Sequence, residues 1–167
     1  RLSVETLLTK ECDNAGGVFE THGRGFMGEA IAEMLKTPLG VGNATYRLTT
    51  EDGYVDTVPF GCFKRELFDR IGGFDERLAR TEDNEIHYRM RKAGFKLCFD
   101  PEIISYQHIR PDLGKMLKQK YANGYWIGLT TGVCAPCLSL YHFVPFAFVM
   151  AIILSVLFCT GFAIAGS

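Results

Sequence analysis

Charged side chains are missing from the C-terminal part of the sequence: no Asp, Glu, Lys or Arg occurs between Tyr121 and Ser167. Within that part, residues 138–165 are almost wholly apolar, and only His142 and Pro145 disturb the run near its start. A helix needs about 20 apolar residues to cross the roughly 30 Å hydrocarbon core of a bilayer. A core helix of a soluble protein rarely runs this long without a polar face. The sequence therefore predicts a transmembrane segment over 138–165.

A concentrated basic surface is also missing. The formal net charge is −1, and the basic residues are scattered except at Lys115, Lys118 and Lys120. Nucleic-acid-binding surfaces cluster Lys and Arg, so we expect no nucleic-acid partner. The three lysines precede the apolar span, and such residues flank membrane helices on the cytoplasmic side. We therefore expect the chain at the cytoplasmic membrane, with its polar part facing the cytoplasm.

The six cysteines lack the spacing of a zinc site or of a disulfide framework. Cys134 and Cys137 form a CxxC pair, but a zinc site needs a second pair or suitably spaced histidines. The pair also precedes an apolar span, whereas a thioredoxin-like motif opens a helix within a βαβ unit. We expect all six cysteines to be reduced, as is usual in the cytosol.

Helical and strand-like patterns alternate through the polar part, which predicts an α/β fold. The clearest helix covers 82–93, where Ile86, Met90 and Ala93 recur at helical spacing; Thr81 is a candidate N-cap and Gly94 a suitable end. Residues 14–17 contain two glycines and are expected to end the first helix. The predicted helices span 3–11, 29–36, 65–71 and 82–93, and the predicted strands 18–19, 55–63, 95–99 and 103–106.

A further amphipathic helix is predicted over 111–126. Its apolar residues, such as Leu113, Leu117 and Tyr121, share one face, and Lys115 and Lys118 point away from it. A basic amphipathic helix suits a membrane surface, although an ordinary surface helix packed on the core shows the same pattern. The sequence thus divides into a polar α/β part over 1–110, an interfacial helix over 111–126 and a membrane segment over 138–165.

Two carboxylates, Glu82 and Asp83, open the helix predicted over 82–93. Acidic residues are common in a first helical turn because the N–H groups and the helix dipole stabilise them, so a purely structural role is one reading. The other is catalytic, because an ionised carboxylate can accept a proton from a hydroxyl that attacks a substrate. The helix dipole leads us to expect a low pKa for this Asp83, and positioning would then have to contribute much of the rate.

Five motifs follow one another between Gly61 and His108, and together they resemble the second half of the catalytic domain of family 2 glycosyltransferases. They are Gly61 to Arg65 (GCFKR), Ile71 to Glu76 (IGGFDE), Thr81 to Asp83 (TED), Arg89 to Phe95 (RMRKAGF) and Pro101 to His108 (PEIISYQH). The stretches VGNATYR at 41–47 and GYVDTVPFG at 53–61, with the trailing apolar span, are similar to the branch that builds bacterial exopolysaccharides such as succinoglycan.

The resemblance implies a partial GT-A fold and an inverting hexosyltransferase. A sugar would pass from a nucleotide-sugar donor to a lipid-linked or glycan acceptor in cell-surface polysaccharide synthesis. Asp83 would be the general base, with Glu82 as the second candidate. Residues expected to contact substrate are Gly61, Cys62, Gln119 and Trp126.

The sequence also departs from the family. The donor half with its DxD motif for Mg²⁺ or Mn²⁺ is not in this chain, so most metal ligands are expected outside it. His108 is one candidate ligand, although a histidine at a strand end more often makes an ordinary hydrogen bond. Gln119 and Trp126 lie where processive members carry QxxRW, but the Arg-Trp pair is missing, which favours transfer of a single sugar.

Two functions from different classes remain. The first is the glycosyltransferase, of which this chain would be a fragment that is inactive by itself. The alternative is a non-catalytic, membrane-anchored scaffold subunit that retains the fold.

Overall fold

The computed structural model describes residues 1–37, 51–109 and 112–165, with side chains up to residue 161. Two 3₁₀ turns, Ala135–Cys137 and Leu140–Phe143, separate the last two helices. The strands are β1 (Asn14–His22), β2 (Gly53–Tyr54), β3 (Cys62–Phe63) and β4 (Leu97–His108). The helices are α1 (Leu2–Thr9), α2 (Gly25–Met34), α3 (Arg65–Ile71), α4 (Glu82–Lys92), α5 (Leu113–Cys134) and α6 (Val144–Ala165).

The strands of the described chain form one mixed four-stranded sheet in the order β2-β4-β1-β3. Its centre is the long parallel pair of β1 and β4, which runs from Asn14 opposite Leu97 to His22 opposite His108. The short strands β3 and β2 add to the two outer edges in antiparallel orientation. The predicted α/β fold is confirmed, and this arrangement is compatible with part of a GT-A domain followed by a membrane helix.

Gly16 and Gly17 lie inside β1, which begins at Asn14, four residues before the strand predicted at 18–19. The first helix has already ended at Thr9. A Cβ atom on Gly16 would overlap the Val58 side chain, and one on Gly17 would overlap the carbonyl oxygens of Asp100 and Ile103. Glycine in a strand often marks such a close approach of a second backbone. The two glycines are therefore required by packing rather than by a turn.

The two strands predicted at 95–99 and 103–106 are one strand, β4. A register shift between Gly17 and Val18 lets β1 skip from Asp100 to Ile104 on its partner. This irregularity accommodates Pro101, which has no N–H to donate to a ladder. The single strand predicted over 55–63 is also wrong, because β2 ends before it at Tyr54 and only its last two residues, in β3, pair with the sheet.

Two apolar clusters form the core of the polar part. One contains Leu7, Cys12, Ala15 and Cys98, and the other contains Val58, Leu67, Met90 and Leu97. Since neighbouring residues of a strand point to opposite faces, Leu97 and Cys98 of β4 each enter a different cluster. The sheet is thus covered on both faces where β4 begins.

The helices agree with the sequence pattern more closely than the strands do. Helices α1, α3 and α4 lie where they were predicted, and Gly94 has the positive φ of 84° that suits a residue just past a helix end. Helix α2 begins four residues early, at Gly25. The segment 41–47, the residue Pro111 and most of the predicted loop at 41–57 lie outside the described residues.

The C-terminal part begins with α5, which continues past the predicted end at residue 126 to Cys134. Among the described residues, one helix is long and apolar enough to cross a membrane, at Leu140–Gly161. Cys134 and Cys137 form a disulfide, so the prediction that every cysteine is reduced is wrong for this pair. The 3₁₀ turn brings their Cα atoms to 5.5 Å, within the usual range for a disulfide. Cys12, Cys62, Cys98 and Cys159 are free thiols.

Candidate active site

The residues just before the acidic pair are fixed to α5. The Thr81 side chain does not cap α4, as the sequence suggested, because its hydroxyl lies 2.5 Å from the Thr130 hydroxyl instead. Thr130 donates its own proton to the Trp126 carbonyl at 2.7 Å, so Thr81 must be the donor of the shorter bond. Arg80 adds a bond of 3.0 Å to the Asn123 side chain. These two hydrogen bonds therefore hold the start of α4 against α5.

Asp83 is exposed in the first turn of α4, and its pKa is raised above the ordinary value of 3.8. The larger cause is partial desolvation by the surrounding protein, and the second is the neighbouring Glu82 carboxylate. The expected low pKa of Asp83 is thus wrong, because partial desolvation and the neighbouring negative charge outweigh the helix dipole here. A raised pKa brings a general base closer to neutral pH and makes it a stronger proton acceptor.

Glu82 is half-buried. Its Oε2 atom is enclosed and has no hydrogen-bond partner in the described part of the chain. Leaving a buried carboxylate oxygen without a hydrogen-bond donor costs free energy. A bound group with a hydroxyl or N–H could donate the missing hydrogen bond to Glu82. Asp83 is the more accessible of the two for proton transfer.

Arg89 ties the third turn of α4 to the IGGFDE segment. Its guanidinium binds both Glu85 carboxylate oxygens, at 2.5 and 2.6 Å, and donates to the carbonyls of Ile71 and Gly73 at 2.5 and 2.7 Å. Glu85 is buried, so this forked pair also neutralises a carboxylate that water cannot reach. The two motifs are therefore physically coupled through one arginine.

His87 is buried on α4, one turn after Asp83, and no pattern in the sequence predicted a role for it. Its Nδ1 lies 3.0 Å from the Thr57 hydroxyl and its Nε2 lies 3.1 Å from the Asn14 amide nitrogen. Because an amide nitrogen can only donate, Nε2 accepts and Nδ1 carries the proton. Burial, with a smaller effect of Arg91, lowers the pKa of His87 to about 4. His87 is consequently a neutral residue that joins β1, the loop at 57 and α4.

Gly61 and Cys62, predicted to contact substrate, lie against this core. A Cβ on Gly61 would overlap the side chain of Asn14, so the missing side chain leaves room for that amide. Cys62 pairs with Ala15 across the sheet and packs against the cluster that contains Cys98. Their contact with substrate stays a prediction.

The other predicted site residues lie elsewhere in the fold. Gln119 is exposed on α5, and Trp126 lies one turn before Thr130 with its ring against Tyr125, 6.2 Å between centroids. His108 is exposed at the end of β4, with its ring centroid 6.2 Å from that of His22. In the described ranges no three His, Cys, Asp or Glu side chains are arranged to hold a metal ion. These residues therefore do not provide a site that fits Mg²⁺ or Mn²⁺.

A cavity of about 480 Å³ opens beside α4. Three parts of the chain line it: residues 54–57, which begin at the end of β2, one side of α4, and residues between Cys137 and His142 before the last helix. Helix α4 also packs directly on the turn Ala135–Cys137. The helix that carries Glu82 and Asp83 thus contacts the segment that leads into the apolar helix α6.

Curated proteins similar to the chain include "Succinoglycan biosynthesis protein ExoA" of Rhizobium meliloti (strain 1021), 25% identical over 121 residues that cover 72% of this chain and 37% of that protein. The dolichyl N-acetyl-alpha-D-glucosaminyl phosphate 3-beta-D-2,3-diacetamido-2,3-dideoxy-beta-D-glucuronosyltransferase of Methanococcus voltae is 26% identical over 115 residues, covering 68% of this chain and 36% of that protein. No family model and no solved structure matches. The chain spans little more than a third of the length of these relatives. They confirm the resemblance to glycosyltransferases, and the chain is similar to proteins of polysaccharide and glycan biosynthesis.

Proposed function

We propose that the chain is the acceptor-side part of an inverting glycosyltransferase in cell-surface polysaccharide synthesis. It would transfer a single hexose from a nucleotide-sugar donor to a lipid-linked or glycan acceptor. The observation that carries the proposal is the placement of Asp83, exposed and with a raised pKa, on a helix start that Arg80 and Thr81 fix to α5. The names of both relatives support a role in polysaccharide or glycan synthesis.

The chemistry needs one proton acceptor at the acceptor hydroxyl. Asp83 takes the proton as the hydroxyl oxygen attacks the anomeric carbon of the donor sugar. The bond between that carbon and the donor phosphate breaks, and its electron pair leaves with the nucleoside diphosphate. Attack from the side opposite the leaving group inverts the anomeric configuration. A fixed helix start lowers the entropic cost of holding the base in line.

Mg²⁺ or Mn²⁺ is the proposed cofactor of the full-length enzyme, with its main ligands outside this chain. The described residues offer no ligand set suitable for this metal. The proposed location is the cytoplasmic membrane, with the α/β part on the cytoplasmic side. The apolar helix at Leu140–Gly161 supports membrane association, and the lysines before it support the orientation.

The test is a transfer assay on the full-length protein with Asp83→Asn. We expect turnover to fall about 10²–10⁴-fold, the usual contribution of a general base, while the melting temperature is kept or rises. The raised pKa means that the folded state disfavours the Asp83 charge at neutral pH, so removing the charge costs no stability. The pH–rate profile of the wild type should show an acidic limb with a midpoint above 3.8, and Asp83→Asn should lose it.

Asp69→Asn is the matched control, because Asp69 is an exposed carboxylate on α3. It should leave both turnover and the pH profile unchanged. Full turnover in Asp83→Asn would remove Asp83 as the base. A full-length wild type that transfers no sugar from any nucleotide-sugar would instead favour the scaffold alternative.

A further inference from the structure

The cavity beside α4 is lined by both aromatic and polar residues, and none of the site residues predicted from the sequence is among them. Its aromatic lining includes Tyr54 and the Tyr141 ring, which is stacked on His142 with 4.1 Å between ring centroids. Its polar groups include the Asn84 amide and the Arg91 guanidinium. The volume of about 480 Å³ lies within the roughly 300–1,000 Å³ of small-molecule sites. Apolar rings with a few fixed polar groups are what such sites use to orient a ligand.

The charges around the cavity nearly cancel. The Arg91 Nε lies 3.8 Å from an Asp56 carboxylate oxygen, and the same guanidinium donates to the Asp56 carbonyl. His87, on the same wall, is neutral because its pKa is about 4. A nucleoside diphosphate needs a clear excess of positive charge or a metal. The lining therefore suits a neutral, hydroxyl-rich ligand better than the donor phosphates.

One wall of the cavity belongs to the start of the apolar span. Tyr141 and His142 lie in the turn Leu140–Phe143, which passes into α6 at Val144 without an intervening residue. The stretch able to cross a membrane begins at Leu140. A ligand in the cavity would consequently lie where a membrane surface meets the polar part of the protein.

The opposite wall is continuous with the acidic pair. Asn84, His87 and Arg91 line the cavity from one side of α4. Asp83 directly precedes Asn84 and lies one turn before His87, and residues four apart are neighbours on a helix. A hydroxyl at that end of the cavity would therefore approach the Asp83 side of α4.

We propose that this cavity holds the sugar headgroup of a membrane lipid-linked saccharide, which is the acceptor. The Tyr141–His142 rings would support one face of the sugar, the Asn84 and Arg91 side chains would bind its hydroxyls, and the lipid would extend along α6. This inference rests on the proposed function and names its acceptor class. It makes Asn84 and Tyr141 determinants of acceptor binding.

The test is photo-crosslinking of the full-length protein in phospholipid nanodiscs. The probes are glucosyl- and galactosyl-diphosphoryl farnesol with a diazirine on the sugar, and farnesyl diphosphate with a diazirine as the lipid-only probe. Peptide mapping should place the sugar-dependent label in residues 54–57, 84–91 or 137–142. We expect Asn84→Ala and Tyr141→Ala each to weaken labelling about tenfold, the effect of losing one good contact.

Tyr121→Ala is the matched control, because Tyr121 is an exposed tyrosine of α5 outside the cavity. It should leave labelling unchanged. Far-UV circular dichroism of the three variants separates lost binding from lost folding. Should Tyr141→Ala fail to fold, Tyr141→Leu keeps the apolar bulk and should still weaken the sugar-dependent label.

Four outcomes would overturn the inference. They are labelling of the cavity by the lipid-only probe as strongly as by the sugar probes, displacement of the label by a soluble nucleotide-sugar, labelling confined to other peptides, and no labelling at all. Transfer activity separates this inference from the proposed function. Normal turnover onto a lipid-linked acceptor in both Asn84→Ala and Tyr141→Ala would reject the cavity alone, whereas specific labelling of a wild type that transfers no sugar would reject the enzyme alone.

Discussion

The hydroxyl oxygens of Thr81 and Thr130 lie 2.5 Å apart, although 49 positions separate them in the sequence. Both side chains are buried, and the bond continues from Thr130 to the Trp126 carbonyl. The residue that precedes Glu82 and Asp83 is thus held by the helix that leads to the membrane segment. The acidic pair and α5 are thus connected by buried hydrogen bonds.

Thr130→Val should weaken the connection between α5 and the start of α4. The substitution removes the acceptor of Thr81 and the donor to Trp126, and an unsatisfied buried hydroxyl costs about 1–3 kcal/mol. We expect a matching fall in the free energy of unfolding and lower turnover with an unchanged pH profile. Thr131→Val is the control, because the Thr131 hydroxyl is exposed and bonds only its own helix at Gly128. Equal stability of the two variants would show that the Thr81 contact contributes nothing.

The stability of the fold should depend on pH through His87. Its pKa is about 4 in the folded chain against 6.5 ordinarily, so between these values the unfolded state binds the extra proton. Stability should therefore fall as the pH drops through this window, by up to about 3 kcal/mol. Denaturant titrations between pH 4 and 7 in detergent micelles measure the slope. His87→Gln should flatten it, whereas the exposed His22→Gln should retain it.

Arg89→Met should be strongly destabilising. It leaves Glu85 buried without its cation and removes the donors to the carbonyls of Ile71 and Gly73. Breaking such a pair costs about 3–5 kcal/mol, which thermal unfolding would record. Lys92→Met, on the exposed side of the same helix, should change stability by less than about 0.5 kcal/mol. If the penalty comes from the stranded charge, adding Glu85→Gln to Arg89→Met should restore part of the loss.

Gly17→Ala should disrupt the centre of the sheet. The new methyl group would collide with backbone oxygens of Asp100 and Ile103, which cannot rotate away as a side chain does. We expect a loss of about 3 kcal/mol or more, at the upper end of overpacking effects. Gly53→Ala in β2 places its methyl group in open space and should be near neutral. Circular dichroism melts of both variants compare the two positions directly, and similar melting temperatures would contradict the close approach.

The local features of the fold could be predicted from the sequence. The spacing of Ile86 and Met90 identified α4, and Gly94 marked its end because glycine adopts a positive φ readily. The place of Gly16 and Gly17 in a strand could not be predicted, since glycine marks the end of a helix and a close backbone approach equally well. Which reading applies depends on β4, a strand some 80 residues later in the chain.

In the candidate site too, features set by nearby residues could be predicted, whereas features set by distant residues could not. The motif order predicts Asp83 as the base, but the pKa of Asp83 depends on desolvation by the folded protein, which a helix-dipole argument omits. His87 was missed because its partners Asn14 and Thr57 lie far away in sequence. The Cys134–Cys137 bond follows from a turn geometry that spacing alone did not reveal.

The contact of α4 with the turn Ala135–Cys137 joins the acidic pair to the segment that leads into α6. A displacement at the start of α6 would therefore reach the helix that carries Glu82 and Asp83 without passing through the sheet.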